Sequence, residues 1–225
     1  MGIRISKYLK YLFDSVLEVI YGDDGKCVIC GNYSNGDELC INCRKNICLE
    51  LLNVKLYREK LFVQFYSCCY YDILIKELII KLKYKCDFRA GSALVDLLRQ
   101  TFDRLKLNQE LFTFVPSSAE AYGRRGYNPS EFLCKKLSDA ENKKTVDCLY
   151  LNKTKSDQIG LDGNERWKNL KGAFGVREIK AIKNKNILLV DDVVTTGATA
   201  FYCSKALVDA GAKSVTVLTV AKSTI

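Results

Sequence analysis

An aliphatic run, two adjacent aspartates and a string of small residues constrain this chain more than any other feature. The stretch is ILLVDDVVTTGATA, Ile187 to Ala200. Ile187 to Val190 is purely aliphatic, as expected of a parallel strand buried on both faces. Burying two neighbouring carboxylates is costly, so the strand is expected to end there and present Asp191 and Asp192 to solvent or to a ligand. Thr195, Thr196, Gly197, Ala198 and Thr199 follow, ahead of a helical pattern through Leu207. This is a tight loop on a helix N-terminus, where free N–H groups and the helix dipole form a cup for a phosphate.

Carboxylates at a strand end beside such a cup suit a sugar phosphate, with its 5′-phosphate in the cup and its ring hydroxyls donating to the two aspartates. Other phosphate loops do not match: there is no Gly-Lys-Thr ending of a Walker A loop, and no G-x-G-x-x-G after a strand. The bland alternative is an ordinary strand–turn–helix with two solvated aspartates. Taken whole, the stretch resembles the ribose-5-phosphate-binding motif of type I phosphoribosyltransferases, which bind 5-phosphoribosyl-1-diphosphate (PRPP). The resemblance implies that Asp191 and Asp192, the catalytic pair, hold the ribose hydroxyls, and that Thr195 to Thr199 take the 5′-phosphate. It also implies Mg2+ arriving with PRPP.

The 225 residues, 48% of them hydrophobic, can build one substantial core and a small appendage. A net charge of +9 favours anionic partners such as phosphates, nucleic acid or a membrane surface. The basic residues are spread along the chain, so charge alone serves solubility as well as it serves nucleic-acid binding. The absence of histidine excludes imidazole catalysis and imidazole zinc ligands. Near the N-terminus, Leu9, Leu12, Phe13, Val16, Leu17 and Ile20 fall at helical spacing, with Lys7, Lys10, Asp14 and Glu18 on the other side. Asp14 and Glu18 interrupt what would be a signal core, and no run is long enough to span a bilayer. The expectation is an amphipathic helix packed on its own protein, or at a membrane interface. The chain is read as cytoplasmic, not transmembrane, with reduced thiols.

Cys27-x-x-Cys30, nine intervening residues and Cys40-x-x-Cys43 make two knuckles that can converge on one tetrahedral Zn2+. Four thiolates leave no open coordination position, so the metal is expected to be structural and to supply the folding free energy of a segment with little core. Cys68, Cys69, Cys86, Cys134, Cys148 and Cys203 read as core thiols. The chain thus divides into a helix plus zinc module over residues 1–50 and a larger domain over 51–225.

Further on, LFVQFYSCCYY from Leu61 reads as one or two strands, and Asp72 opens a helix ending in Lys81, Lys83 and Lys85. A second helix is expected from Ser92 to Leu107, after Gly91. Strands follow at Phe112 to Val115, Val146 to Leu151 and Val215 to Val220; a loop with Arg124 and Arg125 leads to a helix near Pro129. Alternating strands and helices give an α/β fold with a right-handed, mostly parallel sheet covered by helices on both faces. Ser117, Ser118, Arg124 and Arg125, after the Phe112 strand, lie where a diphosphate on C1 would need donors and cations. Surface charges are the alternative for the arginines, and dipole complementation is the alternative for Lys83.

A CxxC module, K-L-K-Y, V-P-x-S with R-G-Y-N, Q-x-x-L-x4-R-x-x-N-x-x-x-A-F and the loop above stand in that order. The order resembles the ComF/GntX family of competence-associated proteins over essentially the whole chain. Matching positions are Lys83; Pro116, Arg125, Gly126 and Asn128; Gln158, Leu161, Arg166, Asn169, Ala173 and Phe174; and Asp191 to Thr199. Pro116 and Lys83 thereby join Ser117, Arg124 and Arg125 as PRPP-binding candidates. Departures are Ala121 and Gly123, where the family usually has basic residues, Pro129 where it usually has Gln, and one extra residue between Thr154 and Gln158. The resemblance implies a phosphoribosyltransferase-like fold acting in natural transformation, helping to bring single-stranded DNA into the cytoplasm beside a helicase-like partner. Tyr122, Tyr127 and Trp167, near Arg124, Arg125, Arg166 and Lys168, are either stacking platforms for that strand or core and rim packing. The competing readings are an active phosphoribosyltransferase with a nucleobase or other nitrogen acceptor, and a PRPP-sensing DNA-binding regulator.

Overall fold

The computed structural model describes residues 25–152 and 163–223, with only the backbone of 163–166 considered. The expected N-terminal helix, Gln158 and Leu161 lie outside the described residues. In chain order the elements are α1 (Ile41–Asn46), β1 (Leu52–Arg58), β2 (Leu61–Tyr70), α2 (Ile73–Lys85), α3 (Phe88–Arg104), β3 (Leu111–Phe114), α4 (Ala119–Arg125) and α5 (Pro129–Ala140). Then come β4 (Lys144–Thr145), β5 (Leu149–Leu151), α6 (Gly163–Leu170), β6 (Phe174–Val176), α7 (Ile179–Ile182), β7 (Asn186–Val194), α8 (Ala198–Asp209) and β8 (Ser214–Lys222).

Strand alternation decides the layering. Along β7, Leu188 and Val190 join a core with α2, α3 and α5, while Ile187 and Leu189 join a second core with α8 and β5–β6. A sheet apolar on both faces must be covered on both, and this one is. The six-stranded sheet has the order β1-β2-β8-β7-β3-β4, parallel throughout except for β1, which pairs antiparallel with β2. This is the expected α/β architecture with a mostly parallel sheet.

Two connections leave the middle of the sheet in opposite directions. From β3 the chain passes through α5 to β4 on one side, and from β7 through α8 to β8 on the other. The gap between β3 and β7 is therefore the topological switch point, where the loops diverge and leave a crevice beyond the strands' carboxyl ends.

Four local expectations need correction. The strand does not stop before the aspartates. β8 continues alongside and pairs Asp191 with Thr219 and Val193 with Ala221, so the backbone stays satisfied to Val194. The second helix begins at Phe88, capped by the Asp87 carboxylate on the Ala90 amide at 3.0 Å, and ends at Arg104. Gly91 lies inside it because a Cβ there would sit 2.4 Å from Phe132 and 2.9 Å from Leu82. The expected Val146–Leu151 strand is shorter: only Leu149–Leu151 (β5) is strand, and it leaves the main sheet to pair antiparallel with β6, while the two-residue β4 beside β3 ends before Val146. Finally, Cys86 is only partly buried, closing α2 in a left-handed conformation at φ 52°.

Candidate functional site

The carboxyl end of β7 turns through Thr195 and Thr196 into α8. Gly197 caps the helix at φ +80°, with no side-chain cap bond. The Ala198 amide donates to Thr196 Oγ1 at 3.4 Å. The first intrahelical acceptor bond runs from the Phe201 amide to Gly197 O at 2.9 Å, so helix geometry leaves the Thr199 and Ala200 amides without an acceptor inside α8. Both residues help line a depression of about 160 Å³, with Asp191, Val193 to Ala198 and Leu170. The five residues Thr195 to Thr199 are thus brought together around one hollow at a helix start.

Asp191 lines it, Asp192 follows in the strand, and the two have different partners. Lys83, from the last turn of α2, donates to Asp192 Oδ1 at 2.7 Å. Asp192 is 7% exposed, so it is a nearly buried carboxylate held by one ammonium. Burial opposes the charge on Lys83, yet the Asp192 carboxylate beside it outweighs that and raises its pKa. Asp191 Oδ1 accepts from Ser130 Oγ at 2.8 Å and from the Asp192 amide at 2.9 Å. Burial, and then the neighbouring Asp192 charge, push its pKa up to about 7, with the Ser130 bond and Lys83 pulling the other way. Ser130, at the start of α5, carried no sequence signal that marked it for this role; only the crossover from β3 brings it here.

The segment after β3 adjoins the acidic pair, since it leads to Ser130, which donates to Asp191. Pro116 and Ser117 lie partly exposed ahead of α4, which Ser118 caps through the Ala121 amide at 3.1 Å. The expected loop holding Arg124 and Arg125 is thus a short helix, ended by Gly126 at φ 77°. Asn128 ties the segment down, donating to Val115 O at 2.9 Å and accepting from the Ser130 amide at 3.0 Å. Arg124 pairs with Glu120 at 3.6 Å on the exposed face of α4. Arg125 places its guanidinium 5.1 Å from the Tyr84 ring centre and within electrostatic reach of Lys83. The structure therefore joins Lys83 directly to the acidic pair and Arg125 to its neighbourhood, while Arg124 pairs within its own helix.

Of the three aromatics expected either to stack bases or to pack, Tyr122 is 50% exposed. Tyr127 packs on Phe88 and donates to Leu82 O. Trp167 packs edge-on to Phe201 and Tyr202, with Arg58 4.3 Å over its ring. Those last two are packing residues.

The four cysteines form a second site. Gly31, at φ +72°, closes the first knuckle, with the Cys27 amide on Asn32 O at 2.7 Å and the Gly31 amide on Cys27 O at 2.9 Å. Cys40 caps α1 and its Sγ accepts from the Cys43 amide at 3.5 Å. The four Sγ atoms of Cys27, Cys30, Cys40 and Cys43 all lie within 4.8 Å of one another, with Cys30 and Cys40 at 3.6 Å. Metal–sulfur bonds of roughly 2.3 Å in a tetrahedron require sulfurs about 3.8 Å apart, so the set can hold a metal ion. Lys81 to Val28 O, and Arg89 to Lys26 O at 2.6 Å, fasten the module to α2 and α3. No helix among the described residues is long and apolar enough to cross a membrane.

No protein-family model matches the chain. Among solved structures it is similar to the glutamine PRPP amidotransferase of B. subtilis, with 18% identity, 59% of this chain and 27% of that one covered, and a TM-score of 0.41. It is also similar to an adenine phosphoribosyltransferase of Thermoanaerobacter pseudethanolicus, with 10% identity, 76% and 95% coverage, and a TM-score of 0.40. The fold class rests on the sheet itself. Similarity in sequence is firmer. The competence protein ComFC of Streptococcus pneumoniae is 27% identical over 214 residues, 90% of each chain. The DNA utilization protein YhgH of Escherichia coli K12 is 30% identical over 64% of this chain and 65% of its own. Competence protein F of Haemophilus influenzae is 31% identical over 159 residues, 65% of this chain and 67% of its own. With a four-cysteine module ahead of a mostly parallel sheet and relatives of this kind, the chain belongs to the ComF family of competence-associated proteins.

Proposed function

We propose that this protein binds PRPP in the crevice between β3 and β7 and acts in DNA uptake during natural transformation. The observation that carries the proposal is the uncapped start of α8, which opens onto the hollow beside Asp191. The 5′-phosphate takes the amides at the start of α8 and the Thr195, Thr196 and Thr199 hydroxyls. The ribose diol donates to Asp191 and Asp192, which Ser130 and Lys83 hold in place. Pro116, Ser117 and Arg125 border the side on which the diphosphate would leave C1, with Arg124 farther out on α4. Mg2+ fits as a cation carried in by the ligand: Asp192 already has an ammonium on it, so diphosphate, ribose hydroxyls and water supply most of the oxygens such a cation needs. Asp191, which accepts from a hydroxyl and an amide, is the carboxylate of the pair that can join them. The cysteine set holds a structural Zn2+. Single-stranded DNA lies on the basic surface around α4, in the cytoplasm, where a helicase-like partner can hand it over.

Titration calorimetry of the full chain with Mg-PRPP tests the first half, and undiminished heat after Asp191→Ala with Asp192→Ala would refute it. Binding of labelled single strands across a salt series tests the second half. Affinity indifferent to salt contradicts a strand held by Lys and Arg on phosphates.

A second reading, phosphoribosyl transfer to a nitrogen acceptor, is favoured by Asp191. A carboxylate titrating near 7 can accept a proton from an incoming amine or ring nitrogen at neutral pH. Diphosphate release from PRPP in the presence of candidate acceptors tests it, and no release with any of them leaves a binding protein.

A further inference from the structure

The end of α2 carries a feature the PRPP reading leaves unused. Tyr84 directly follows Lys83, yet it is 68% exposed, while Lys83 reaches inward to Asp192 at 2.7 Å. One exposed tyrosine is unremarkable by itself. This one has the Arg125 guanidinium 5.1 Å from its ring centre, and Arg125 also lies close enough to Lys83 to lower that residue's pKa in opposition to Asp192. Three side chains therefore run outward from the acidic pair: an ammonium on the carboxylate, a guanidinium beside it, and an open aromatic face. A guanidinium stacked on an aromatic ring also presents a flat cationic surface, and both components stack readily on nucleobases.

We infer that Tyr84 and Arg125 form a stacking platform for a nucleobase carried next to a phosphate, at the rim of the sugar-phosphate crevice. The inference rests on the ribose reading of Asp191 and Asp192 for its position, and it reassigns Arg125 from the diphosphate to the base. The chemistry fits either a nucleoside monophosphate seated in the crevice or one unstacked base of a single strand crossing its mouth. Arg125, beside both the Tyr84 ring and Lys83, links an occupant of the platform to the group that holds Asp192. A strand on the platform and a sugar phosphate in the crevice then share one rim.

Binding of three probes to the full chain, wild type and Tyr84→Ala, tests this: ribose 5-phosphate, AMP and a short oligo-dT. Loss of the exposed ring should leave ribose 5-phosphate unchanged and weaken AMP, the strand or both by roughly ten-fold, within the range of aromatic–base stacking. Loss for AMP alone identifies a base seated in the crevice; loss for the strand alone identifies a crossing strand. Tyr84→Phe should restore whichever is lost, since stacking needs the ring and not the hydroxyl. Equal weakening of all three probes, or of none, overturns the platform. If wild type binds neither ribose 5-phosphate nor PRPP, the ribose reading has failed, and the oligo-dT comparison still decides whether Tyr84 stacks a base.

Discussion

Replacing Asp191 by Asn should make the protein more stable at pH 8 and a worse binder. In the wild type the Asp191 pKa stands at about 7, against an ordinary 3.8, because burial and the Asp192 charge disfavour the anion. Between those values the folded chain holds a proton that the unfolded chain has released, so stability falls as pH rises through that window. At about 1.4 kcal/mol for each tenfold change, the wild-type loss is at most roughly 4 kcal/mol once both states are ionised. Asn keeps an oxygen for the Ser130 hydroxyl and the Asp192 amide, at 2.8 and 2.9 Å, and carries no charge. The expected gain at pH 8 is therefore about 2–4 kcal/mol, or roughly 5–10 °C in Tm for a chain of this size. It should shrink toward zero as pH is lowered to about 4. Thermal unfolding followed by circular dichroism at several pH values measures it, and calorimetry with Mg-PRPP on the same variant should show affinity reduced at least about ten-fold, the scale of one charge-assisted hydrogen bond to a diol. A variant no more stable than wild type at pH 8 would refute the electrostatic account, and one that is stabilised yet binds normally would refute the functional one.

Other consequences follow from single features. Gly197→Ala places a Cβ at φ +80°, where the nearest atom, on Phe65, is an ordinary 3.7 Å away, so the cost is conformational, about 1–2 kcal/mol in stability, read from denaturant midpoints. Elemental analysis should find one zinc per chain, and Cys43→Ser should lose it together with the module's folded signal; a metal-free wild type that unfolds normally contradicts a structural ion. Trp167 is the sole tryptophan, and Leu170, one turn along the same helix, lines the hollow, so saturable Mg-PRPP binding should change its emission. Unchanged emission at saturation would place the ligand elsewhere.

How far the sequence could be read depended on whether the signal was local. Val190 through Thr199 could be read directly, because an aliphatic run, two carboxylates and a helix start are neighbours in the chain. The two CxxC knuckles were legible for the same reason, since ligand spacing and turn glycines are local. Lys83–Asp192 was not legible as a pair. It spans 109 residues, and only the stacking of α2 over the sheet brings the ammonium to the carboxylate. Ser130 on Asp191 has the same origin in the β3-to-β4 crossover. The expectation that β7 stops before the aspartates considered what burial costs a carboxylate but not what a distant lysine returns to it. The second helix is expected only after Gly91, yet Gly91 lies inside it, where contact with Phe132 and Leu82 leaves no room for a side chain. Val146 to Leu151 reads as one strand, and nothing local says that only Leu149–Leu151 forms one, away from the main sheet and against β6.

The most direct test of the central claim is the amide spectrum of ¹⁵N-labelled protein titrated with ribose 5-phosphate and, separately, with ribose. The account predicts large, saturable shifts for the amides of Gly197, Ala198, Thr199 and Ala200 with the phosphate ester and none there with the free sugar. Shifts confined to other residues, or the same response to both compounds, would contradict a phosphate seated at the start of α8.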